Sequence, residues 1–351
     1  MKNLVKTIIL FFFIGMVACE PNDTIAPIPP TDGAVIEPEV GGPDQPNQVF
    51  VDLSKATATA IPRSTWDLGF SNGAGFNVIL NYSTYMVARA TDQTDLAMVS
   101  SNLVTDDFKA AMVVAPEGNI DWIDNPDGDL NDTAIAPISA DENENMVYVI
   151  NRGQTENGEA FDERGFLKVK ITRSGDNYLV TYGNIDDTSF KTLTVAKNDK
   201  YNFTFINFDN GEVLVEPEKT SWDIAFSTTS NYFFDNATNT TVPYRYKDVV
   251  ITNRDNIKIT AIEVTDVVNY NDYTKADVNS MDLENNRMAI GSSWRLFEFD
   301  TFSYQINPNI FYVVEDTEGN LYKLMFNRMY CIAADCAGER GYPEFTYELL
   351  K

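Results

Sequence analysis

The chain of 351 residues contains no histidine. That absence removes Ser-His-Asp and Cys-His catalysis, imidazole acid–base chemistry, and the commonest ligand for zinc and haem iron. Cysteine is nearly as scarce, at three residues. Basic residues are few, 26 against 52 acidic ones, and the formal net charge is −26. A chain this acidic has no electrostatic footprint for nucleic acid and no attraction to anionic lipid. It also lacks a glycine-rich phosphate loop, and no run after the N-terminal segment is apolar enough to span a bilayer. Nothing singles out an enzyme, because acidic residues are so numerous that no carboxylate pair stands apart by its spacing.

What is present starts with an export signal. Lys2 and Lys6 precede a short apolar run over residues 8–14, and Met16-Val17-Ala18-Cys19 follows. That order is the pattern of a bacterial lipoprotein signal over residues 1–18, with Cys19 as the acylated first residue of the mature chain. Acyl chains bury methylenes in the bilayer, so they tether an exported protein without a transmembrane helix. Residues 19–48 are rich in proline and acidic residues and poor in large apolar ones. They read as a disordered tether, unable to bury enough surface to offset their ordering entropy. The remaining cysteines, Cys331 and Cys336, are spaced C-x4-C. In an oxidising compartment they are expected to close a small disulfide loop, since a metal would need further ligands nearby.

Two stretches of the chain repeat a word, "STWDLGFS" around Trp66-Asp67 and "TSWDIAFS" around Trp222-Asp223. Trp66, Leu68 and Phe70 alternate with Asp67 and Gly69, a period of two that predicts a strand with one buried face. The same alternation recurs in "FLKVKIT", "LYKLMF" and "FTYELL", with turn residues between the runs. The expected fold class is therefore all-β, mainly antiparallel, with one helix near residues 95–109. An aromatic strand precedes each repeated word, "QVFVDLS" and "YNFTFINFD", and a later tryptophan, Trp122 or Trp294, follows it. The chain thus reads as a duplication of a unit of about 150 residues. The expected domains are residues 49–196 and 197–351. Each Trp is expected as a core anchor, and each Asp as the partner of a turn or a backbone amide.

These words, with "YVVEDTEGNLYKLMF" and "ERGYPEFTYELL", resemble the HmuY-like lipoproteins of Gram-negative bacteria, the C-terminal half more closely than the N-terminal half. The resemblance implies an all-β fold, an outer-membrane lipid anchor, and capture of haem for delivery to an outer-membrane receptor. Haem-binding members of the family hold the iron with two His or Met side chains, one before the later tryptophan and one just after it. Here those places fall near Val267 and Phe299 in the second unit, and the later one near Asp127 in the first. None is an axial ligand. Thioethers remain. If haem is ligated, Met281 and Met288 are the expected ligands, with Met98 and Met112 as the corresponding pair in the first unit.

One further constellation stands out. In "DWIDNPDGDLND", Asp127, Asp129 and Asn131 occupy the first three ligand places of an EF-hand-like loop, but Asp132 and Ile138 stand where glycine and glutamate are required. The expectation is either a weak, flexible calcium loop or a solvated acidic turn. For the whole chain, two readings follow. One is a tethered binding protein passing a hydrophobic, haem-like molecule to a transporter. The other is a structural or adhesive surface module that binds glycan or protein.

Overall fold

In the computed structural model, which describes residues 29–157 and 160–351, the alternating apolar residues build four principal sheets, all paired antiparallel. One five-stranded sheet runs in the order Lys191–Val195, Asn177–Gly183, Phe166–Ser174, Val147–Asn151, Val87–Ala90. It faces a four-stranded sheet of Gly211–Val213, Phe203–Asn207, Leu68–Ser71 and Val78–Leu80. Leu68, Phe70, Ile150, Val169 and Val180 fill the space between them. A second sandwich repeats the plan. Its five-stranded sheet is Gly33–Ile36, Arg340–Leu349, Leu321–Tyr330, Ile310–Glu315 and Lys258–Glu263. Its four-stranded sheet is Thr240–Thr252, Ile224–Asp235, Asn47–Asp52 and Thr57–Pro62. Val49, Val51, Ile224, Phe226, Trp294 and Phe326 form its core.

The connections do not follow the sequence repeats. The hairpin Asn47–Asp52 with Thr57–Pro62 precedes the first Trp-Asp word but pairs with the strand after the second, Val51 opposite Ile224 and Val49 opposite Phe226. The equivalent hairpin, Phe203–Asn207 with Gly211–Val213, pairs with the strand after the first word, Ile206 opposite Leu68. Edge strands behave alike. Gly33–Ile36 lies against Arg340–Leu349, and Lys191–Val195 against Asn177–Gly183. The first sandwich is therefore one contiguous stretch running from Leu68 to Val213. The second is assembled from both ends of the chain, with the first inserted between its parts. Dividing the chain at 196/197 separates the repeats in sequence, yet the sheets cross that point.

Each Asp of the repeated word pins the hairpin that arrives. Asp67 Oδ2 accepts from the amide of Phe208, 2.8 Å away, and Asp223 Oδ2 from the amide of Leu53 at 2.7 Å. Tyr182 and Tyr347 donate their hydroxyls to the carbonyls of the same two residues. The tryptophans depart from the expected alternation. Leu68 and Phe70 face the sandwich core, while Trp66 joins Phe50, Phe203, Phe205, Trp222 and Ile251 in a separate cluster between the two four-stranded sheets. Both faces of these strands are buried, so a period of two cannot tell which face carries the core. For the same reason Lys168 and Lys323, expected on solvent faces, are buried beneath loops. Their ammonium groups donate to the carbonyls of Val99 and Tyr270.

Two other expectations change. The tether ends sooner than residue 48, because Gly33–Ile36 is an edge strand and Val40 is buried in the second core. The expected helix near residues 95–109 is a 3-10 turn, Leu96–Met98, and a single helical turn, Asp106–Ala110, capped by Thr105. Cys331 and Cys336 are joined by a disulfide. The signal segment and Cys19 lie outside the described residues.

Candidate functional site

The sequence candidates for iron ligation lie in different surroundings. Met281 sits in the turn Ser280–Asp282 and is 83% exposed, while Met288 packs against the cluster between the sheets. In the first repeat Met98 is 63% exposed and Met112 is fully buried. The turn that carries Met281 runs into Glu284, which bridges to Ile259, level with Val314 and Tyr322. The segment after Trp294 docks instead on Tyr330, at the far end of the strand Leu321–Tyr330, about 25 Å away.

What occupies the place after Trp294 is a ring cluster. The hairpin Arg295–Glu298 with Ser303–Ile306 is held through Tyr304, opposite Phe297, where the Tyr304 amide donates to the Tyr330 hydroxyl and that hydroxyl donates to the Tyr304 carbonyl. The guanidinium groups of Arg295 and Arg340 each lie 4.2 Å from the Tyr304 ring centroid. Its tip presents Phe297, Phe299 and Phe302, with Phe297 5.0 Å from Phe299 and 6.1 Å from Phe302. Phe299 is 76% and Phe302 81% exposed. Clustered aromatic rings held in water by a clamped hairpin lose hydration favourably when a flat apolar molecule covers them.

The acidic loop is held by hydrogen bonds within itself and from two arginines. Among the described residues no three acidic, Cys or His groups converge as metal ligands. The Asp129 carboxylate accepts from the amide and side chain of Asn131, and Asn125 accepts from the amide of Asp127. Two arginines from the second repeat hold the loop from behind. Arg254 donates to the carbonyl of Gly128, and Arg287 to that of Pro126 at 2.7 Å. They bring positive charge to the place where a cation would need carbonyls, a constraint invisible in the local motif.

Behind the loop lies a cavity of about 60 Å³ between the two four-stranded sheets. Its walls include Phe50, Trp66, Tyr82, Phe203, Phe205 and Trp222, with edge-on contacts such as Trp66 to Phe205 at 4.9 Å and Phe50 to Trp222 at 5.0 Å. Asp124, on its rim, accepts from the amides of Leu80 and Ala134, and burial pushes its carboxyl up to about 6. Glu216 accepts from the Phe203 amide, and burial pushes it further, to about 8. These residues come from positions 48 to 287, so no local pattern announces them.

The family model described as HmuY protein matches residues 44–198 and again residues 199–347. Among solved structures, Apo PinO from Porphyromonas gingivitis is 10% identical, with 92% of this chain and 98% of that chain covered at a TM-score of 0.32. A protein from Bacteroides vulgatus ATCC 8482, named as HmuY_like and heme binding, is 10% identical at a TM-score of 0.22, with 90% and 91% covered. No curated protein matches.

Proposed function

Since this chain belongs to the HmuY family, matched over both of its repeats, we propose that it is a lipid-tethered binding protein that takes up a flat, hydrophobic, haem-like molecule and passes it to an outer-membrane transporter. One observation carries the choice of ligand class and site: the exposed Phe297, Phe299 and Phe302 at the hairpin that follows Trp294. The chain has no histidine, and of the two methionines expected as ligands Met281 is exposed while Met288 packs against the cluster between the sheets. The molecule is therefore held by ring stacking and area burial without a protein ligand on a metal. Exposed stacking suits a carrier, because the same surface that takes the molecule up can release it to a receptor.

The test compares haem with metal-free protoporphyrin on the purified protein. Both should co-elute with it on gel filtration, with affinities within about threefold, because neither is coordinated. Replacing Phe299 and Phe302 together by alanine should weaken both by about tenfold or more, at roughly 0.5–1.5 kcal/mol per ring beyond area burial. Binding of haem alone, lost on Met281→Ala with Met288→Ala, would replace stacking by thioether coordination. Co-elution of neither tetrapyrrole would overturn the reading in favour of a surface module for glycan or protein.

A further inference from the structure

The cavity between the two four-stranded sheets carries more unpartnered polar groups than a packing defect would. Gln48 Oε1, Trp66 Nε1, Trp222 Nε1, Ser230 Oγ and Thr252 Oγ1 are buried without a hydrogen-bond partner, and all five residues line this one cavity. Each of these residues is at most 5% exposed. A buried donor left unpaired loses its bond to water with nothing in return, so several around one space mark a place where something polar binds. The indole N–H groups can only donate, and the two hydroxyls can turn to donate. The Gln48 amide can serve in either orientation, since the Tyr82 hydroxyl it meets at 2.7 Å can both donate and accept.

Charge points the same way. Arg254 and Arg287 both line the cavity, and among the described residues neither has an ion-pair partner. Each gives one donor to a loop carbonyl, and each lies over an aromatic ring, Arg254 5.6 Å from Phe203 and Arg287 4.5 Å from Tyr82. The two guanidinium groups oppose each other, and burial with that repulsion pulls Arg254 down to about 10. Asp124 and Glu216 line the same cavity, and burial raises both carboxyls above their ordinary values, which weakens their hold on the two arginines.

We propose that this cavity binds a small carboxylate anion, held by the Arg254 and Arg287 guanidinium groups, the indole N–H groups of Trp66 and Trp222, and the hydroxyls of Ser230 and Thr252. A carboxylate offers two oxygens with about four lone-pair sites, enough to receive donors from both repeats at once. The volume sets the size: a cavity of roughly 150 Å³ takes a benzene, so about 60 Å³ suits a carboxylate with a short body. The site is separate from the aromatic hairpin and does not depend on what that hairpin carries.

The experiment titrates the full-length protein with acetate against its neutral isostere acetamide, following the melting temperature and tryptophan emission, with chloride at equal ionic strength as control. Acetate should raise the melting temperature saturably and change the emission of Trp66 and Trp222, and acetamide should not. Arg254→Gln should weaken acetate at least tenfold. Trp222→Phe, which keeps a ring and removes the N–H, should weaken it about threefold to tenfold while leaving the free protein folded. Phe299→Ala with Phe302→Ala should leave acetate binding unchanged. An acetate response equal to that of chloride or acetamide, or one unaffected in a folded Trp222→Phe and Arg254→Gln pair of variants, would overturn the proposal.

Discussion

Asp67 lies between two guanidinium groups, with Arg152 and Arg164 each 2.8 Å away, whereas its counterpart Asp223 has acidic neighbours, Asp52 and Asp316. Part of the difference lies at one matched position, because "YVINR" in the first repeat ends on Arg152 and "YVVED" in the second ends on Asp316. Burial, and then those two carboxylates, push Asp223 up to about 7. A carboxyl raised from its ordinary value near 3.9 contributes stability that is fully present below about pH 4 and lost as pH rises through about 7. Asp223→Asn keeps an acceptor for the Leu53 amide and removes the charge. It should raise the melting temperature at pH 8 by about 2 °C or more and change little at pH 4, as thermal melts across that range would show. Asp67→Asn should do the reverse, costing about 3–5 kcal/mol in denaturant titration, because it leaves two buried arginines without their shared partner.

At the scale of elements, the alternating strands, the duplication and the bond from each word's Asp to a backbone amide were legible in the sequence, while the side on which each Trp packs was not. The destination of the hairpins was not. The strands Leu68–Ser71 and Ile224–Asp235 begin with near-identical words, so the hairpin containing Val49 and Val51 fits either in pattern and register. Only the length and path of the connections decide. The candidate cavity was illegible for a related reason: Gln48, Trp222 and Arg254 meet there from separate strands and loops. The connectivity makes a definite forecast for fragments. A piece spanning residues 63–216 holds every strand of the first sandwich, together with Asp67, Arg152 and Arg164, and should melt cooperatively with β-type circular dichroism. Residues 49–196 and 197–351, cut between the sequence repeats, should not do so separately. Mixed during refolding, they should regain a cooperative transition, lower than that of the whole chain because Gly33–Ile36 and Val40 are missing. Cooperative melting of either repeat-based half alone would mean that its own hairpin can fold back onto its own sheet.

For the whole molecule, the proposed lipid anchor at Cys19 has a direct test. Cys19→Ala should move the protein from the membrane fraction to the soluble one and abolish fatty-acid labelling, since acyl chains supply the membrane affinity. Retention of that variant in the membrane would place the anchor elsewhere. No helix among the described residues is long and apolar enough to cross a bilayer. The assembly of the second sandwich from both ends has a consequence in time. A chain is made and threaded across a membrane N-terminus first, so Gly33–Ile36 and the hairpin at Asn47–Pro62 emerge while their partners, Arg340–Leu349 and Ile224–Asp235, are still to come. The first sandwich can close in the interval, because all its strands have already emerged. The hairpin waits for residues 224–235, and Gly33–Ile36 stays without its partner strand until almost the last residue is delivered. Biogenesis of this protein is thus ordered from the inside outward, and its most vulnerable moment is the one just before the tail arrives.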